Sequence, residues 1–306
     1  MVNADIFFPK TNPIVFFKDD EYLPCKDAAL REKIPCFIQQ FNENDIIAFQ
    51  FRLENFSPVT TVNLLITLND KETLLYDKLS LYLNGGSSGS TPNFICFSNN
   101  IVINFQLFLK RTIIFSQSIY EINENIYGQT NKFINDGDRF YFTLQIISSN
   151  GEEAEIKSNE LICKHDNTDT KLIHYDYSDK DYLAYSTNFQ LMPNGYDIRL
   201  QCEFLPVTQK ANKETFQNYD GAFALVSATP YETVKLLIGD KNGIGVPDWL
   251  IRNLNYILHL DQKTIDGVPY ELTESAELEV DIYPGYNHRF LQIELAKKSP
   301  EDWISI

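Results

Sequence analysis

With 306 residues, the chain has room for two or three modules of about 100–150 residues each. It is 43% hydrophobic and 22% charged, which places it among folded proteins and excludes a disordered one. A net charge of −16 repels phosphate backbones, so no nucleic-acid partner is expected. Twenty-two Phe and 17 Tyr favour pleated, half-buried surfaces, and the fold class expected is mainly β.

Residues 1–40 alternate apolar clusters (FFPK, NPIVFF, YLPCKD) with proline and hold no period, so an irregular N-terminal arm is expected. The opening stretch has no basic start, and Pro9 and Pro13 break its apolar run. It does not read as a signal peptide, and folding in a cytoplasm is expected. No apolar stretch reaches the roughly 18–20 residues of a membrane span.

From residue 41 the pattern becomes strand-like. IIAFQFRLEN (46–55), TTVNLLITLND (60–70) and ETLLYDKLSLYL (72–83) precede a low-complexity loop, NGGSSGSTPN (84–93). FICF (94–97), IVINFQLFLK (101–110) and TIIFSQSIYEI (112–122) follow. After a polar interruption come RFYFTLQIIS (139–148) and EAEIKSNELICK (153–164), with a turn at Ser149-Asn150-Gly151. Short strands separated by turns predict an immunoglobulin- or fibronectin-type β-sandwich over 41–163.

The second half, 164–298, predicts an α+β domain with a mostly antiparallel sheet and one amphipathic helix. TKLIHYDY (170–177), LAYSTNFQL, YDIRLQCEFLP, GAFALVSA and ETVKLLIG read as strands. PDWLIRNLNYILHL (247–260) reads as the helix: Pro247 and Asp248 suit a first turn, and apolar residues recur at helical spacing from Trp249 to Leu258. KTIDGVPYEL (263–272) reads as a hairpin turning at Asp266-Gly267, and AELEVDIYPG and RFLQIELAKK complete the sheet. Residues 299–306 form a short tail.

No catalytic set has convincing spacing, so no catalytic, cofactor-binding or metal-ligating residue is assigned and a non-enzymatic role is expected. Five cysteines (Cys25, Cys36, Cys96, Cys163, Cys202) lack a CxxC pair and read as free, mostly buried thiols. The four histidines (His165, His174, His259, His288) are scattered and suit surface or capping roles. GDKNGIGVPDW (239–249) lacks GK[ST], and Pro247 removes an amide, so it reads as a turn that uses glycine rather than a phosphate loop. Asp240 and Asn242 lack EF-hand spacing. Adjacent acids such as Glu152/Glu153 and Asp19/Asp20 point to opposite faces of a strand and cannot form a glycosidase pair alone.

DTKLIHYDYS, DIRLQCEFLP, ETVKLLIGD, GIGVPDWLIRNLNYIL, TIDGVPYEL and EVDIYPGYNHRFLQIELA together resemble a family of proteins in tailed phages and prophages of Bacteroidetes hosts. PCFIQQFNENDIIAFQF and SNGEEAEIKSNELIC are similar to the opening and close of that family's first sandwich. The resemblance covers most of 35–297 as a pattern of short motifs, and the chain departs from it in lacking a second cysteine in YSDKDYLAYS. It implies a virion structural protein of a tail or baseplate, partnered by other phage structural proteins and by copies of itself, with no catalytic residues to carry over. An adhesin that recognises host surface glycans is the alternative. The interface candidates are Phe7, Phe8, Phe16, Phe17 and Trp303, in the case that both termini dock on neighbours; the alternative is that both fold back on their own chain.

Overall fold

The structure, a computed structural model, describes residues 5–18, 37–54, 61–68, 71–79, 94–97, 101–106, 110–127, 133–147, 151, 153–176, 195–239, 245–273, 276–282 and 289–297. The fold is mainly β, with twenty strands and two helices among these residues. The 84–93 loop, Asp240, Asn242 and the 299–306 tail lie outside them.

The first half builds two sheets. β1 (Asp5–Phe7), β4 (Ile46–Glu54), β9 (Lys110–Ser118), β8 (Ile101–Gln106) and β7 (Phe94–Phe97) form a five-stranded antiparallel sheet in that order. Opposite it, β10 (Arg139–Ile147) pairs with β5 (Thr61–Leu68), which pairs with β6 (Lys71–Leu79). β10 also pairs with β11 (Glu153–Ser158) and β12 (Leu161–Cys163), and β2 (Phe16–Lys18) adds to β11. Inward residues alternate, as pleated strands require. Phe49, Phe115 and Phe142 cluster between the two sheets: Phe49 stacks on Phe115 at 5.0 Å, and Phe142 tilts against them at 5.7 and 5.5 Å.

Two expectations for this half change. The segment 1–40 holds strands β1, β2 and the start of β3 (Gln39–Phe41). Its residues Pro9, Thr11, Asn12, Pro13, Ile14 and Phe16 are buried. The run expected as one strand over 112–122 ends at Ser118, where α1 (Ile119–Tyr127) begins. Ser118 Oγ accepts from the Glu121 amide at 3.2 Å, and Glu121 Oε2 accepts from the Ser118 amide at 2.8 Å. This reciprocal box satisfies two donors at the helix start and turns the strand into a helix.

The second half contains a ring. β14 (Tyr196–Phe204) pairs with β13 (Thr170–Asp176), which pairs with β17 (Gln262–Ile265), which pairs with β18 (Val268–Leu272). β18 pairs with β20 (Arg289–Lys297), β20 with β16 (Phe223–Ile238), and β16 returns to β14. Every pairing is antiparallel, so six strands close on themselves and β19 (Glu279–Ile282) adds to β20. Closure removes sheet edges that would otherwise need covering. Ile173, Tyr175, Tyr196, Ile198, Leu200, Leu236, Ile238, Leu291, Ile293 and Leu295 share one core, each strand contributing alternate residues. α2 (Asp248–Ile257) packs Leu250, Leu254 and Ile257 into that core, while Asp248, Arg252 and Asn255 are exposed. The hairpin turn sits at Asp266 (φ 48°) and Gly267 (φ 77°), the double left-handed turn that Asp-Gly favours.

The halves are joined through main-chain pairing. β3 lies parallel to β12 on one side and meets β14 at Arg199 and Gln40 on the other. β4 is buried on both faces: Ile47, Phe49 and Phe51 enter the first core, while Ile46 and Ala48 face the second.

Candidate functional site

The seam between the halves is polar and densely bonded. β14 sends Tyr196, Ile198 and Leu200 into the ring, so by alternation Asp197 and Arg199 face the other way. The Arg199 guanidinium grips Asp45 in bidentate fashion, Nε to Oδ2 at 2.6 Å and Nη2 to Oδ1 at 2.7 Å. Asp45 also accepts the Asn42 amide at 2.8 Å, so this buried ion pair is well satisfied. Asp197 accepts the Ile46 amide on Oδ2 and meets His174 Nδ1 with Oδ1, both at 2.7 Å. The hydrogen bond to Asp197 raises the His174 pKa above the ordinary imidazole value against the opposing effect of burial. The charges of Asp197 and Asp176 add to the rise.

The N-terminal segment wedges into the same seam. The Asn12 side chain pairs with the Gln50 main chain, donating at 2.8 Å and accepting at 3.1 Å. Tyr175 donates its hydroxyl to Thr11 O at 2.6 Å, Asn253 of α2 donates to Asn12 O at 2.9 Å, and Gln50 Nε2 donates to the Tyr196 hydroxyl. Tyr175 and Tyr196 stack at 5.2 Å. These groups hold one another and tie the two halves together.

The sequence-derived interface residues divide accordingly. Phe16 is buried and packs edge-on against Phe49 at 4.9 Å, Phe8 stacks on Phe16 at 4.9 Å, and Phe17 meets Trp249 edge-on at 5.8 Å. Phe7 is 42% exposed, and Trp303 lies outside the described residues. Among the described residues, no group of three His, Cys, Asp or Glu is placed to hold a metal ion, and no helix is long and apolar enough to cross a membrane. His165 faces Glu43 at 3.3 Å and His259 Nδ1 meets Asn255 O at the end of α2, whereas His288 lies outside the described residues. Cys163 and Cys202 are buried and in no disulfide, and burial pushes the Cys202 thiol up to about 12. Cys25 and Cys36, and the side chain of Cys96, fall outside what is described. Gly239 adopts φ +128° beneath the Phe290 ring, where a Cβ would lie 2.6 Å from Cδ1, so position 239 favours glycine, whereas 240–244 lie outside the described residues.

Among the described residues, the most exposed large apolar side chains lie on a feature that the motifs did not single out. β15 (Thr208–Gln217) pairs along its whole length with the first part of β16, through Gln217 opposite Phe223 at the tip and Thr208 opposite Thr233 at the base. β20 joins β16 only from Thr233 onward, so 208–232 projects from the ring as a two-stranded arm. Ten residues of strand at about 3.3 Å each give it a reach of roughly 33 Å. Lys210 pairs with Glu294 at the base, and Gln209 bonds Glu232 across the strands at 2.7 Å. The outer part is apolar and open: Phe216 is 59% exposed, Phe223 72% and Tyr219 fully, with Leu225 and Val226 beside them. A register shift beside Glu214 and Thr215 places a bulge there.

No family model, curated protein or solved structure matches this chain.

The arm therefore stands on its own geometry. A lone two-stranded hairpin is marginal in water, and open clusters of large apolar side chains mark contact surfaces. The arm's sequence, FQNYDGAFALV, does carry a signal: polar turn residues are flanked by aromatics.

Proposed function

We propose that the chain is a virion structural protein, a subunit of a phage tail or baseplate assembly that acts through protein–protein contacts with copies of itself and with other phage structural proteins. The observation that carries this reading is the projecting arm: its aromatic outer part has no cover within the described residues of its own chain, as expected of a subunit that completes itself in an assembly. The short-motif resemblance to tail proteins points the same way. Within this reading the first half is an immunoglobulin- or fibronectin-type sandwich and the second an α+β unit with one amphipathic helix, which are modules that stack readily in symmetric particles.

Gold-labelled antibody imaging of phage particles from the host culture tests the proposal. Label at the tail end or collar is the expected result. Intact particles without label, beside labelled cells or free protein, would overturn it.

The fully exposed Tyr219, flanked by Phe216 and Phe223, supports a second reading, a receptor-binding protein gripping host surface glycans. Glycan-array binding lost in Tyr219→Ala would favour it, and a clean negative with the unaltered protein would remove it.

A further inference from the structure

We infer that the arm 208–232 pairs with the same arm of a second copy of this chain, joining two subunits through the outer apolar residues Phe216, Tyr219, Phe223, Leu225 and Val226. The inference deepens the assembly-subunit reading, and its biological meaning rests on that reading. Three observations select a second copy as the occupant.

The first is area. Large aromatic side chains bring about 150–250 Å² each to a contact, so five exposed apolar side chains of this size offer on the order of 600 Å² per arm. Two arms then bury roughly 1,200 Å², the lower bound of a specific interface. The cluster is thus matched in size by its own equivalent.

The second is charge. The chain carries −16, but the arm holds Lys210 and Lys213 against Glu214, Asp220 and Glu232, a formal −1. Two acidic bodies repel each other, while the contact itself brings only one negative charge from each arm. Its reach of roughly 33 Å exceeds the Debye length of about 10 Å at 0.1 M salt, so the tips can meet while the bodies stay screened. A basic partner would instead be drawn to the acidic body and would have little use for an extension whose outer part is apolar.

The third is backbone. β15 ends its sheet, so its outer edge offers main-chain donors and acceptors beside the apolar tip. The register sets Phe223 and Leu225 on one face with Gln217 and Thr215, and Phe216 on the other. Two arms related by a two-fold axis can therefore meet along like edges, with each aromatic contact made twice.

Sedimentation velocity and light scattering on the full chain, from about 1 to about 100 μM, test the inference against the triple variant Phe216→Ser/Phe223→Ser/Leu225→Ser. The unaltered protein is expected to shift from monomer to dimer across this range. The variant should bind itself at least about tenfold more weakly while keeping the same circular dichroism and thermal midpoint, because none of the three side chains supports a core. Raising NaCl from about 0.05 to about 0.5 M should tighten the dimer, since it screens body–body repulsion. A monomer at every concentration, a variant that dimerises like the parent, or a dimer that falls apart with salt would each overturn the inference. The two readings fail separately: a dimer with unlabelled particles removes the virion role alone, and labelled particles with a monomeric chain remove the arm pairing alone.

Discussion

At the scale of single residues, the seam concentrates the energetic risk. Asp45 and Arg199 are both buried, and each is tolerable only because the other is present. Asp45→Ala should lower stability by about 3–5 kcal/mol in urea denaturation, because it strands a buried guanidinium. Replacing both partners by apolar residues of similar volume should cost far less, and equal losses from the single and double variants would refute this account. His174 gives the seam a pH dependence whose sign follows from its raised pKa. Stability from the His174–Asp197 contact is fully present below the unfolded value of about 6.5 and is lost as pH rises through the higher folded value. His174→Gln should therefore flatten the urea midpoint as pH is raised from about 6 to about 8.5. A slope that persists in the variant would place the titrating group elsewhere.

At the scale of elements, the N-terminal segment and the arm are opposites. The segment 5–18 is short and proline-bearing, yet it places Ile14 and Phe16 in the first core and Asn12 in the seam. Phe16→Ala should cost about 3–5 kcal/mol, the usual loss for a buried aromatic, and deleting 1–18 should lower the thermal midpoint sharply. A midpoint unmoved by the deletion would mean that the segment docks elsewhere in solution. None of the arm's described side chains contributes to either core. What could be read from the sequence follows the same division. Helix α2 and the Asp266-Gly267 turn were legible because local chemistry alone specifies them: a proline start, a helical apolar spacing, and a dipeptide that accepts two positive φ angles. Helix α1 was not, since its apolar residues continue those of β9, although Ser118-x-x-Glu121 was a usable stop for the strand. The role of the aromatics was also hidden. Phe16 and Phe223 look alike in a sequence, and only the long-range pairing of β2 with β11, or of the outer part of β16 with β15 alone among the described strands, decides which is covered.

At the scale of the whole molecule, the two cores are coupled by shared backbone. β3 bonds to strands of both halves, and β4 and β14 lie against each other across the seam. The chain should therefore unfold in one calorimetric transition despite containing two hydrophobic clusters. Two separated transitions would show that the seam is weaker than its bonding suggests.

β4 also limits how the gene for this chain can vary. A strand with one wet face can absorb a slipped residue by losing some burial, but β4 has no wet face between Ile47 and Phe51. Inserting or deleting one codon there would send Ala48 and Gln50 into the phenylalanine cluster and turn Phe49 and Phe51 toward the tyrosine pair. Both halves would be mispacked by one event. Length changes in this strand are thus closed to drift, whereas the arm, none of whose described side chains enters a core, can lengthen or shorten without mispacking either half.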